Sequence, residues 1–222
     1  MGRIASNPHK PDGSRPLLRR PDDMPQPAYE VLAAGDGRQR MDRIATAEFD
    51  LEAEIRDLAA RRDITDVLQR YMRGLDRLDP ALVRSAFHAD ARIDVGLMQG
   101  GADAYVAFTQ TVLGGMTATH HLLGQVRIEL DGNRAIAESY FQAWQGVATD
   151  DGGLRDLFIA GRYVDALACR DRRWGIVSRT LVTDWVRDEP GGADFFTANP
   201  ALVRGARHGA DFSQTFRQGI DR

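Results

Sequence analysis

Apolar residues recur at helical spacing from near Thr46. Leu51, Ile55 and Leu58 form one stripe. Ile64, Val67, Leu68, Tyr71 and Leu75 form a second at 0, +3, +4, +7 and +11, the clearest amphipathic helix in the chain. Asp63, with Asp66 three residues on, predicts a fresh N-cap between the two. Asp79-Pro80 predicts another restart, with Asp as the cap and Pro at the first helical position. The short helix that follows carries Leu82, Ala86 and Phe87. Residues 102–113 return to helical spacing, and Gly114-Gly115 stops them.

Strand-like alternation covers the rest of the central region. A short strand is predicted over Arg92–Val95, ended by Gly96, and a longer one over His121–Leu130. Asp131-Gly132-Asn133 predicts a hairpin into a return strand over Arg134–Trp144. Two more strands are expected at Leu157–Cys169 and Trp174–Val186, joined by the charged turn Arg170 to Arg173. Helices first and an antiparallel meander afterwards predict an α+β fold. Its curved, cone-shaped sheet wraps around the N-terminal helices and encloses a pocket. Residues 1–45, rich in Pro, Gly, Arg and Asp, are expected to form a disordered arm. Residues 46–188 are expected to form the domain, and 189–222 a C-terminal tail.

Composition narrows the function. A net charge of −3 offers no broad basic field and argues against a nucleic-acid partner. No apolar run approaches the ~18–20 residues that cross a bilayer, so no membrane role is expected. The single cysteine, Cys169, allows neither an intramolecular disulfide nor a cysteine-based zinc site, which fits a cytoplasmic protein. The five histidines show no metal-ligand spacing: His9 and His208 fall in the predicted tails and His88 in a predicted loop. Neither a metal nor an organic cofactor is expected.

The residues that can carry chemistry are polar side chains at predicted interior positions. Asp76 lies at the margin of the helical stripe. Asp79 is accounted for as an N-cap. Of the adjacent pair His120 and His121, one must face inward. Simple alternation places His120 with Val126, Ile128 and Leu130, unless a bulge intervenes. In the last strand, Val177, Arg179, Leu181, Thr183 and Trp185 share a face. Trp174, Ile176 and Val182 share the other, a candidate surface for a homo-oligomer (dimer or trimer). Arg179 on an apolar wall requires a carboxylate or a bound anion. Tyr71, with a hydroxyl in need of a partner, and Phe141 complete the set.

The order of these residues is recognisable. The runs Tyr71 to Asp79, Phe87 to Asp94, Thr119-His120-His121-Leu122-Leu123-Gly124 and Arg173 to Arg179 resemble the SnoaL-like branch of the nuclear-transport-factor-two-like superfamily, over roughly residues 55–188. Within it, the match is to the scytalone dehydratase and hexachlorocyclohexane dehydrochlorinase group, whose enzymes use an Asp–His pair and no cofactor. The resemblance implies Asp76 and His121 as the catalytic pair. It places Arg179 at the dehydrochlorinase's pocket arginine and Tyr71 where that enzyme has a lysine. Tyr71, Arg179, Phe141, Trp185 and His120 are then the expected substrate contacts. The implied activity is a lyase acting on a small hydrophobic, aromatic or alicyclic substrate by elimination or C–C cleavage. The same fold also serves as a non-catalytic binding or assembly subunit, and as a ketosteroid-type isomerase with Asp76 or Asp94 as direct base.

Overall fold

A computed structural model describes residues 50–191 and 198–213. The predicted arm, residues 1–45, lies outside them, as does part of the predicted tail. Helix α1 spans Leu51–Arg77, α2 Pro80–Ser85 and α3 Ala102–Gly114; the strands are β1 Phe87–Asp94, β2 Gln99–Gly101, β3 Ala118–Asp131, β4 Arg134–Ala148, β5 Leu154–Arg170 and β6 Arg173–Pro190. They build one curved, unclosed sheet in the order β2-β1-β6-β5-β4-β3. Every neighbouring pair is antiparallel except β1 and β6, which run parallel.

Two predicted helices prove to be one. Asp50, not Asp63, caps α1, accepting the N–H groups of Glu52 and Ala53. Asp63 sits inside the helix and pairs sideways with Arg62 at 2.6 Å. A capping residue marks a start only when the chain before it is not helical, and here the stripes before and after it continue at helical spacing. The end of α1 is held firmly. Leu78 takes a left-handed conformation (φ 48°), and Asp79 accepts the Leu82 N–H to begin α2, as predicted. A side chain at Gly74 would strike Val83, so this glycine lets α2 cross close against α1 just before Asp76.

The core lies between the stripe of α1, α3 and the concave face of the sheet. Ile64, Val67, Leu68, Tyr71 and Leu75 from α1 meet Phe87, Ile93, Leu167 and Ile176 from the strands. The predicted strands are all present, each longer than its apolar pattern. The Gly132-Asn133 hairpin forms between β3 and β4, with Gly132 at positive φ. His88, expected in a loop, is a buried residue of β1 whose Nε2 meets the Ala168 carbonyl at 2.9 Å.

Three of the sheet's four register shifts decide which side chains face inward. The first lies between Leu123 and Val126 in the β3–β4 pair. Thr119, His121 and Leu123 face the helix on one side of it, and Val126, Ile128 and Leu130 on the other. The second lies between Ala166 and Leu167 in the β5–β6 pair, and it puts Ile176 and Arg179 on the same buried side. Trp174 and Ile176, expected on an outer face for oligomer contact, are therefore core residues, 6% and 0% exposed. The third lies between Ala160 and Gly161 and turns Trp185 outward. Trp185 packs there against Phe158, at 4.7 Å between ring centroids, and is 48% exposed.

Candidate active site

The last turn of α1 presents Asp76 to the edge strand β3. One carboxylate oxygen accepts the backbone N–H of His121 at 3.0 Å; the other meets His121 Nδ1 at 2.6 Å. The two side chains are largely buried, 10% and 5% exposed. A carboxylate has no proton to give, so Nδ1 carries a hydrogen, and in the neutral form of the ring the lone pair lies on Nε2. That nitrogen bonds to nothing in the described residues and is not among the sealed polar atoms.

Beside the pair is an open cleft of about 490 Å³, within the size range of small-molecule sites. Met72, Leu122 and Leu123 give it apolar surface; Arg73, Arg77 and Asp211 give it charge. His120 also lines it, from the exposed side of β3, so alternation from the far end of the strand misassigned the inward histidine.

The other expected contacts lie elsewhere. Arg179 is fully buried and paired with Asp165 through two bonds, Nε to Oδ1 at 2.7 Å and Nη2 to Oδ2 at 2.6 Å. Its guanidinium lies 4.0 Å from the ring centre of Tyr71 and 4.2 Å from that of Tyr163. Nη1 finds no acceptor, and these ring faces stand in for one. Burial opposes the Arg179 charge, but Asp165 outweighs it and holds the guanidinium protonated. Tyr71 is sealed in the interior, its hydroxyl bonded to that of Tyr105. Burial first, then the neighbouring Tyr71, push the Tyr105 and Tyr163 hydroxyls well above the ordinary phenol range. Phe141 stacks on Tyr163 at 4.6 Å. Arg179, Tyr71 and Phe141 thus fill the concave interior and are not among the cleft-lining residues. Trp185 is on the outer face. Asp94 braces a turn, accepting from Gly96 N–H and the Gln99 amide, and also lies outside the cleft lining.

Sequence reasoning missed the segment that closes one side of the cleft. Arg77 donates to Asp211 at 2.6 Å and to the Ala206 carbonyl at 2.8 Å, while His208 N–H donates to the Arg77 carbonyl. Arg207 reaches the carbonyls of Leu113 and Met116 and the Thr119 hydroxyl. Arg73 donates to Ser213 at 3.1 Å. Asp211 is held well below the usual carboxylate range by the Ser213 hydroxyl, the backbone N–H groups of Ala206 and Ser213, and Arg77. Arg73 and Arg77 share a helix turn with Asp76, a signal available in the sequence. Asp211 sits in a stretch with no periodicity.

Among the described residues no helix is long and apolar enough to cross a membrane, and no group of three or more His, Cys, Asp or Glu is placed to hold a metal ion. No functionally curated protein matches the chain. Among solved structures, a type 2 hexachlorocyclohexane dehydrochlorinase is 18% identical with a TM-score of 0.56, covering 63% of this chain and 93% of its own. A scytalone-dehydratase-like protein from Novosphingobium aromaticivorans is 21% identical, TM-score 0.54, over 68% and 93%. A nuclear transport factor 2 superfamily protein from Salmonella enterica serovar Typhimurium is 22% identical, TM-score 0.51, over 57% and 92%. Identities this low establish a shared fold. The SnoaL-like domain family matches residues 56–180, more than half of the chain, and the chain belongs to that family.

Proposed function

We propose that the protein is a cofactor-independent lyase in which His121, oriented by Asp76, is the general base. The observation that carries this reading is the 2.6 Å contact from Asp76 to Nδ1, which leaves Nε2 free beside a cleft. Nε2 takes a proton from a substrate carbon, the C–H electron pair becomes the new double bond, and hydroxide or halide leaves the adjacent carbon with its bonding electrons. Asp76 stabilises the imidazolium that forms, as a carboxylate does for any base histidine. A positioned base of this kind contributes ~10²–10⁴-fold. The named dehydrochlorinase and scytalone-dehydratase-like neighbours support elimination as the reaction type. The apolar wall of Met72, Leu122 and Leu123 supports a small hydrophobic substrate. A domain over residues 46–188, in the cytoplasm and assembled as a dimer or trimer, completes the reading.

The test is turnover of β-hydroxy and β-halo derivatives of cyclohexane and arylpropane, read by alkene absorbance, in wild type, His121→Ala and Asp76→Asn. Loss of at least ~10²-fold in both variants supports the proposal. Undiminished turnover in both sinks it. One observation favours a non-catalytic binding subunit instead: the concave interior is packed with Tyr71, Tyr105, Tyr163, Phe87 and Phe141. On that reading ligands bind at the cleft and no compound is turned over.

A further inference from the structure

We infer that the cleft takes an organic acid, and that Arg73 is the residue that recognises its carboxylate. The inference deepens the reading of the cleft as a substrate site and rests on it.

Three guanidiniums meet at the cleft. Arg73 and Arg77 line it, and Arg207 stands close enough to Asp76 and Arg77 to feel both. Among the described residues two carboxylates, Asp76 and Asp211, oppose these three guanidiniums, so with neutral histidines their sum is positive. The guanidinium of Arg207 is destabilised first by burial and then by repulsion from Arg77, with Asp76 only partly compensating.

Two of the three guanidiniums are already committed. Arg77 is bound to Asp211 and the Ala206 carbonyl, and Arg207 to two carbonyls and a hydroxyl. Asp76 is committed to His121 and Asp211 to Arg77. Among the described residues Arg73 has no carboxylate partner. Its contact is a neutral hydroxyl, Ser213 Oγ at 3.1 Å, and Ser213 in turn donates to Asp211. That bond engages Nη2 alone, on a residue that lines the cleft. A planar fork with two parallel N–H groups matches a carboxylate better than any neutral oxygen.

The spacing suits a substrate. Arg73 precedes Asp76 by three residues on α1, which sets the two about 4.5 Å apart along the helix axis. A small acid anchored at Arg73 can therefore also reach His121. Its hydrophobic body meets Met72, Leu122 and Leu123, and its carboxylate meets the uncompensated cation.

The experiment uses two isosteric probes, 2-naphthoate and 2-naphthamide, titrated calorimetrically into the full chain at low salt. Wild type should bind the carboxylate about tenfold or more tightly than the amide, with the difference shrinking as salt is raised. Arg73→Met should bring the two affinities together, and Arg73→Lys should keep part of the preference. Equal affinity in wild type, a preference that survives Arg73→Met, or binding of neither probe at millimolar concentration overturns the inference. Turnover plays no part in this readout. Absence of the carboxylate preference in wild type while His121→Ala abolishes turnover sinks the anion site alone. A retained preference with turnover indifferent to His121 sinks the lyase alone.

Discussion

Asp76 holds His121 through two atoms at once, one oxygen on the backbone N–H and one on ring Nδ1. Because β3 is the last strand of the sheet, that N–H would otherwise be an unpaired donor at a sheet edge. The same carboxylate therefore fixes both the edge of the fold and the tautomer of its candidate base.

This double role separates two substitutions. Asp76→Asn keeps an oxygen for the backbone N–H and should leave stability within about 1 kcal/mol of wild type. Asp76→Ala strands the donor and should cost ~1–3 kcal/mol in chemical denaturation. Equal losses for the two would show that the backbone contact contributes nothing.

Arg179 and Asp165 form a closed pair inside the aromatic core. Asp165→Asn leaves a buried guanidinium without its countercharge and should cost ~3–5 kcal/mol. Replacing both, as Asp165→Leu with Arg179→Met, should recover most of that loss, because a buried pair is replaceable by apolar side chains of similar volume. Denaturation midpoints of the single and double variants check this. A double variant no more stable than Asp165→Asn contradicts it.

Much of this arrangement was readable in the chain, and the failures in strand facing share one cause. Helix stripes, the Asp79-Pro80 restart and the Asp131-Gly132-Asn133 hairpin are local signals and appear where predicted. The inward faces of strands were read by counting in twos, and each register shift breaks that count. The shift after Leu123 favours His121 over His120, the one after Ala166 buries Ile176, and the one at Ala160 expels Trp185. At the last of these Gly161 lies so close to the Val182 carbonyl that a methyl group would overlap it, a long-range contact that no local pattern records. The resemblance to SnoaL-like proteins supplied the His121 assignment that alternation alone did not. Asp165 and Asp211 were missed because their partners, Arg179 and Arg77, stand 14 and 134 residues away.

Acid should loosen the segment around Asp211. Its folded carboxyl titrates below the unfolded one, so its contribution is complete above the ordinary carboxylate range, near pH 4. The contribution fades as pH falls through the folded value. In an NMR titration the amides of Ala206 and Ser213, both donors to Asp211, should shift only below that range. The shift should disappear in Asp211→Asn. A midpoint at an ordinary carboxylate value would contradict the network.

The most direct test of the central claim needs no substrate. Nitrogen-15 NMR of the His121 ring, read on its neutral form, shows which nitrogen carries the hydrogen. The account predicts a single tautomer protonated at Nδ1, with an unprotonated Nε2, and a change in this tautomer state in Asp76→Asn. A ring protonated at Nε2, or a spectrum unchanged by Asp76→Asn, would contradict it.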